Sequence, residues 1–458
     1  MSTVQISINP YTLKENYSHP TDSPSIVKQK IISSKLAYTL WSKETIESRA
    51  LKLKSFRELV NENKEELAEL ITKEIGCPIT QTIAEVTKSI DVIDYYLEHS
   101  ESYLKDEIIL DDNKTTKLIR YDPYGTMLHI SPYNYPLYLA IRPIIPSLLA
   151  GNSVLLKTPS QTPLLALRIE ELIAGSNLPK DIFQILYIAG ADTEVVIEDE
   201  NIDIVTLIGS EKAGSNVAMT AGKNLKKSLL ELGGSDPMLV FQDADLGKVT
   251  AGIIQSRIRN AGQSCNAIKR VLVHSSIKDE LTSLIKTSLS NLVIGNPIDK
   301  DTNFGPMANS QGMHTAQDQI QDALTKGAKL IYGGNFLPSH GLTLEPTLLT
   351  DITSDMLVFT EEVFAPVIPI IEFNDLDEAI MLANNSKYGL GASVWTSDKD
   401  TINSCISRLE TGNVAVNSIV RGDPMLPYGG IKKSGYGREF GKVGIQELCN
   451  IKSVVIQK

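Results

Sequence analysis

From Gly125 onward the chain repeats one pattern: a short apolar run ended by Gly, Pro or Ser, then a stretch with helical spacing. The runs are "GTMLHISP", "NSVLLKTP", "FQILYIAG" and "IDIVTLIGS", and helices are expected between them at 163–175 and 211–223. Strand alternating with helix predicts an α/β fold built on a parallel sheet. Ligands of such sheets sit beyond the carboxyl ends of the strands. That singles out three tips, at residues 131–134, 157–160 and 209–214.

The flanking regions read differently. Residues 24–104 carry apolar residues at three- and four-residue steps and predict helices. Residues 106–123 alternate and turn like a β-hairpin, with Asp-Asp-Asn-Lys as the turn. After "LELGGSDPMLVFQDADL" the alternation resumes through "AIKRVLVHSS" to "GNVAVNS", which predicts a second α/β domain. The tail "NIKSVVIQK" alternates as a strand whose free edge can pair with another chain.

Composition narrows the function. A chain of 458 residues is long enough for two or three domains and a large core. Its net charge of -11 argues against nucleic acid as a partner, because a polyanion would be repelled. The longest apolar run, "YPLYLAIRPIIPSLLAG", is broken by Pro and Arg, so no membrane span is expected. The start, "MSTVQISINP", lacks the basic segment and apolar core of a secretory leader. The four cysteines lie far apart without CxxC spacing. That excludes a disulfide framework and a Cys-rich zinc site and fits a reducing cytoplasm.

One cysteine stands out. Cys265 lies in "RIRNAGQSCNAIKR", among polar neighbours with Arg257, Arg259, Lys269 and Arg270 around it. Positive surroundings raise the thiolate fraction of a thiol whose ordinary pKa is about 8.5, so Cys265 is a candidate nucleophile. A half-buried structural cysteine is the competing reading, and it is kept for Cys77, Cys405 and Cys449. Glu231 ends an apolar run before two glycines, where a carboxylate is costly to bury and becomes a better base. A strand end reaching solvent is its plainer reading. In "IGSEKAG", Gly209 and Ser210 close a strand and Gly214 falls in the first helical turn, a weak phosphate-binding signal. Lys157 ends "SVLLK" as either a solvated tip or a ribose or phosphate hook. The six histidines show no metal-ligand spacing.

Seven segments in order resemble the aldehyde dehydrogenase superfamily over essentially the whole chain. They are "ISPYNYP", "GNSVLLKTPSQTP", "TLIGSEKAG", "LELGGSDP", "NAGQSC", "EEVFAPV" and "LPYGGIKKSGYGRE". The resemblance implies a Rossmann-type cofactor domain at 1–105 with 124–231, an α/β catalytic domain at 232–446 and a β oligomerisation arm at 106–123 with 447–458, assembled as a homodimer or homotetramer. It implies that Cys265 attacks an aldehyde carbonyl and that Asn134 stabilises the oxyanion together with the Cys265 backbone N–H. Glu231 would then activate the water that hydrolyses the thioester. It further places Lys157 at the adenine ribose, Gly233 and Gly234 near the nicotinamide, and Glu362 and Phe364 at the nicotinamide ribose and ring. Glu439 is implied in water handling beside the base. Three positions depart from the usual pattern: Tyr133 for a Trp before the catalytic Asn, Ala365 for a Gly, and Tyr428 for a Phe.

Cofactor and substrate are read by the same route. NAD-preferring members commonly carry Glu three residues after the lysine; here the residue is Ser160, which favours NADP or dual use with NAD. The wording of "LELGGSDP", "LPYGGIKKSGYGRE" and "CNIKSV" is most similar to the succinate-semialdehyde dehydrogenase branch. In that branch Arg142 and Arg259 match arginines that bind the substrate carboxylate. The stretch "IVRGDPML" lacks that branch's usual serine, and Arg421 stands within it. Glyceraldehyde, lactaldehyde or another short aldehyde is the alternative substrate. A non-catalytic binding protein on the same scaffold, or a thiol hydrolase using Cys265, are the alternatives in kind.

Overall fold

A computed structural model describes residues 4–458; the first three residues of the stretch read for a leader lie outside the described residues. The chain opens with a β-hairpin, β1 (Val4–Ile8) and β2 (Glu15–Pro20), absent from the sequence reading. Four helices follow: α1 (Pro24–Trp41), α2 (Ile46–Glu62), α3 (Lys64–Ile75) and α4 (Ile79–Leu104). Local chemistry sets their ends. Ser23 caps α1 by accepting from the Ile26 N–H, with Pro24 in the first turn, and α3 stops on Gly76 in the left-handed region.

The arm hairpin is β3 (Glu107–Asp111) and β4 (Thr115–Pro123). Then comes the alternating region: β5 (Thr126–Ile130), α5 (Tyr138–Ala150), β6 (Ser153–Lys157), α6 (Pro163–Gly175) and β7 (Phe183–Leu186). It continues with α7 (Thr193–Glu198), β8 (Ile204–Ile208), α8 (Glu211–Lys223) and β9 (Lys227–Glu231). The parallel strands stand in the order β9, β8, β5, β6, β7. Successive side chains point to opposite faces. Val154 and Leu156 therefore enter the core under the helices, while Leu155 between them enters a second core on the other face. Burial on both faces explains why these strands read as unbroken apolar runs. The chain reverses direction across the sheet between β5 and β8, so the crevice at their carboxyl ends is the expected ligand site. Residues 131–134 and 209–214 meet there.

A second sheet holds β10 (Asp236–Val240) and β11 (Ile268–His274), joined through α9 (Leu246–Arg257). Strands Thr347–Thr350, Val367–Phe373, Gly391–Trp395 and Asn413–Val416 extend it in parallel, with Lys329–Tyr332 antiparallel at one edge. The terminal strand Cys449–Gln457 lies antiparallel on β4, making a three-stranded arm within one chain. One late segment crosses back: Gly435–Tyr436 pairs with β9 opposite Leu230 and Glu231.

That crossing depends on a glycine. Gly435 has φ +104°, and a Cβ there would stand 2.0 Å from the Leu230 carbonyl oxygen. Gly435→Ala should push the strand off β9 and loosen Glu231, lowering kcat along with a loss of about 1–3 kcal/mol of stability. Activity assays and urea unfolding of the variant check this; wild-type values in both would show that the crossing does not hold the base.

Candidate active site

Cys265 sits on a strained loop. Asn260 and Ala261 have φ of 48° and 50°, and Gly262 follows at 73°. Two non-glycine residues in the left-handed region are costly and persist only where their surroundings hold them. A Cβ at Gly262 would stand 2.3 Å from the Ala365 oxygen. Asn260 donates from Nδ2 to the Asn134 carbonyl at 2.6 Å, and Asn134 Nδ2 donates to the Gln263 carbonyl at 3.0 Å. The buried Lys269 ammonium donates to the Ser264 carbonyl at 2.7 Å, to the Cys265 carbonyl and to Glu362 Oε1 at 3.0 Å. These bonds present the Cys265 side chain while its backbone N–H keeps no acceptor among the described residues. Asn134 retains its second amide hydrogen.

The thiol stands between two cavities. On one side, about 240 Å³ is lined by Tyr133, Asn134, Gly209, Ser210, Glu231, Gly233, Cys265, Glu362 and Phe364. Pro132, Leu139, Ile208 and Leu232, which the sequence does not single out, complete the wall. Ser210 caps α8, accepting from the Ala213 N–H, and Gly214 fits because a Cβ would meet Leu232 Cδ1 at 2.5 Å. Gly233 is required where a Cβ would lie 2.2 Å from Glu362 Oε2, and a Cβ on Gly234 would crowd the Cys265 carbonyl. Phe364 meets Tyr133 edge-on, centroids 6.2 Å apart.

Lys157 ends β6 beside the same crevice, with Ile130 of β5 as its register partner. It is buried, no carboxylate pairs with it among the described residues, and burial pushes its ammonium down to about 8. Ser160, three residues on, is exposed. Ser131 Oγ, Thr158 Oγ1 and Gln161 Nε2 are buried without hydrogen-bond partners among the described residues. Lone polar atoms and a lone ammonium around a helix N-terminus fit a bound dinucleotide.

On the other side, a cavity of about 100 Å³ is lined in part by Lys88, Tyr138, Arg142, Arg259, Arg421 and Cys265. Here the structure revises the sequence reading. Arg142, expected to hold substrate, pairs with Glu439 Oε2 at 2.5 Å and lies 4.0 Å from Glu231 Oε2. Its charge serves these two buried carboxylates, and the rings of Tyr428 and Phe440 flank its guanidinium. Arg259 lies over the Tyr135 ring at 5.6 Å and keeps no ion pair among the described residues. Lys88 was missed: in the sequence it is one lysine on a helix, indistinguishable from a solvated one.

The titration pattern also departs from expectation. The cations near Cys265 in sequence do not make a ready thiolate. Arg257 is spent on the Val367 and Val363 carbonyls and Arg270 on the Ser235, Leu382 and Ala383 carbonyls. Burial and the neighbouring Glu231 raise the Cys265 thiol well above its ordinary range, against weaker pulls from Lys269 and Arg142. Burial also pushes Glu231 up to about 7, against the pull of Arg142. The resting site therefore holds a protonated thiol beside a carboxyl poised to take its proton. Cys77, Cys405 and Cys449 are buried and free.

A carboxyl raised from 4.5 to about 7 favours folding fully below 4.5, and that advantage is lost as pH rises to 7. Glu231→Gln escapes this loss. At about pH 8 the variant should be more stable than wild type by on the order of 1–3 kcal/mol, with the gap closing towards about pH 4.5. Chemical denaturation at both pH values tests it; a variant no more stable at the higher pH would mean that Glu231 is not a raised, buried carboxyl.

With this geometry in view, the comparisons are specific. The model of the aldehyde dehydrogenase family matches residues 2–454. A succinate-semialdehyde dehydrogenase (NADP+) of Deinococcus radiodurans is 38% identical over 448 residues, covering 98% of this chain and 94% of the relative. A Mycobacterium ulcerans protein with the same activity in its name is 40% identical over 400 residues, 87% of each chain. The crystal structure of a Streptococcus pyogenes succinic semialdehyde dehydrogenase with NADP+ superimposes with a TM-score of 0.96 at 31% identity, covering 99% of this chain and 100% of that one. A thiol between a dinucleotide crevice and a small-molecule cavity, with a buried carboxyl beside it, and a match of this extent together show that the chain belongs to the aldehyde dehydrogenase family.

Proposed function

We propose that the chain oxidises succinate semialdehyde to succinate, with NADP as the preferred cofactor and NAD as a possible second. One observation carries this reading: Cys265 opens on one side to a dinucleotide crevice and on the other to a cavity walled by Lys88, Arg142, Arg259 and Arg421. With Arg142 paired to Glu439, the Lys88, Arg259 and Arg421 cations still outnumber the one other carboxylate of the wall, Glu85, an excess that an uncharged aldehyde does not need. They suit an aldehyde with a remote carboxylate.

The steps follow from the side chains. Glu231 takes the thiol proton, and the Cys265 sulfur attacks the aldehyde carbon to give a thiohemiacetal. The oxyanion receives the Cys265 N–H and the remaining Asn134 amide hydrogen, donors worth about 3–4 kcal/mol each. The bound dinucleotide supplies the acceptor for the hydride leaving this carbon. Once Glu231 has released the thiol proton to solvent, it deprotonates a water that hydrolyses the thioester, the departing Cys265 sulfur takes that proton back, and Arg142 with Glu439 holds the base in place from behind. Lys157, the unpartnered polar groups at 131–161 and the Ser210 end of α8 would hold the dinucleotide. Glu362 and Phe364, which line the crevice next to Cys265, would border its nicotinamide end.

Ser160 supports NADP because it adds no negative charge beside Lys157, leaving that ammonium for a 2′-phosphate. Ser160→Glu should shift the ratio of kcat/KM values from NADP towards NAD by about tenfold or more. An unchanged ratio would separate Ser160 from cofactor choice. The substrate is tested with succinate semialdehyde against butyraldehyde, its analogue without the charge. Wild type should favour the acid aldehyde by about tenfold to a hundredfold in kcat/KM. Equal turnover, or preference for glyceraldehyde or lactaldehyde, would remove succinate semialdehyde as the substrate.

The arm supports a homo-oligomer, dimer or tetramer, and four free cysteines among the described residues support a reducing cytoplasm. Ile108, Ile109, Ile451 and Val455 on it are more than half exposed, and both outer strands keep free edges. Removing residues 451–458 would strip β4 of one of its two partner strands. Size-exclusion chromatography should then show monomer or aggregate; elution as the native oligomer would place the interface elsewhere.

A further inference from the structure

The four cations of the outer cavity are not equivalent. Arg142 is paired with Glu439. Arg421 is exposed at the rim and donates to Gln255 Oε1 at 2.5 Å. Arg259 packs over Tyr135 and faces the buried Glu85 on the same wall. Lys88 is half-buried and has neither hydrogen bond nor ion pair among the described residues; its ammonium rests 4.6 Å from the Tyr138 ring centroid. It projects from α4, a helix of 26 residues whose Glu85 and Ser89 are buried, so its backbone is fixed. A lysine drawn partly out of water among three guanidiniums is held at a cost that an anion in the cavity would remove.

We propose that Lys88 is the specificity-determining cation of this cavity, binding the remote carboxylate of the substrate together with Arg259 while Arg142 remains with Glu439. The inference rests on the acid-aldehyde reading above. The aldehyde carbon sits at Cys265, and the carboxylate lies across the cavity on the α4 wall, so one ligand bridges the thiol and the ammonium. Arg142 of α5, Arg259 ahead of the cysteine loop, and Arg421 and Asp423 of the loop before Tyr428 all act on Lys88, and Glu85 shares its helix face. Burial and the three arginines push its ammonium down to about 8, so the free enzyme loses this charge just above neutrality.

The test is steady-state kinetics of the full-length enzyme with NADP, using wild type, Lys88→Met and Lys88→Arg on succinate semialdehyde and butyraldehyde. Lys88→Met should lower the ratio of the two kcat/KM values by about tenfold, with the loss in KM for the acid aldehyde. Lys88→Arg should restore most of the ratio. A wild-type preference that survives Lys88→Met overturns the role of Lys88 alone; no preference in wild type overturns the substrate reading with it. The wild-type enzyme supplies a second readout that does not depend on a variant folding. KM for succinate semialdehyde should climb between about pH 7 and about pH 9.5 as the ammonium deprotonates, while KM for butyraldehyde stays level. Parallel behaviour of the two aldehydes would also overturn the proposal.

Discussion

The ammonium of Lys269 fixes the geometry on which the site depends. It is wholly enclosed, and a lone charge there would be prohibitive, so it must be met by oxygens. The oxygens it finds belong to the Ser264 and Cys265 carbonyls and to Glu362. Glu362 in turn accepts from the Gly234 N–H at 3.2 Å, on the link between β9 and β10. One buried cation thus ties the nucleophile loop to the carboxylate at the cofactor crevice and to the joint between the two sheets. The left-handed run at 260–262 is tolerable because this cluster and the two asparagines hold it from several directions.

The same economy of charge explains why the nucleophile rests protonated. The two positive groups that act on the thiol, Lys269 and Arg142, are committed to carbonyls and Glu362 and to Glu439 respectively. What remains beside the sulfur is Glu231, itself raised to about 7 by burial. A base near neutrality and a thiol above its usual range make proton transfer an event of catalysis, not a standing condition. Arg142 keeps Glu231 from rising further, against the push of burial and of the Glu439 carboxylate, because a carboxyl that never ionised would be useless as a base.

Much of this was legible in the sequence, for a definite reason. Strand tips of a parallel sheet carry their residues in contiguous words, so Asn134, Gly209, Ser210 and Glu231 could be read from their own neighbourhoods. The helices at 163–175 and 211–223 matched because Pro163 and Ser210 mark their starts chemically. What escaped depends on partners distant in the chain. Arg142 and Glu439 are nearly three hundred residues apart, and no local pattern says that one neutralises the other. Arg257 and Arg270 look like a field around Cys265 in one dimension and point away from it in three. The pairing of Gly435–Tyr436 with β9 joins a late turn to the cofactor sheet. The hairpin at 4–20 is short and irregular, with a register shift between Ser7 and Ile8, and offers too little alternation to read.

Lys88 and Lys157 close the argument on anion recognition. They lie on opposite sides of the thiol, one on a helix wall and one at a strand tip, and burial pushes both ammoniums down to about 8. Neither has a carboxylate partner among the described residues, in a protein whose acids outnumber its bases. Surface acids could have paired with them had stability been the only demand. Leaving them unpaired weakens the free protein and reserves their charge for ligands. The cost is returned when an anion binds, since anything that binds only the folded state stabilises it by mass action. A dinucleotide phosphate and a substrate carboxylate would each discharge one of these lysines, with the thiol between the two.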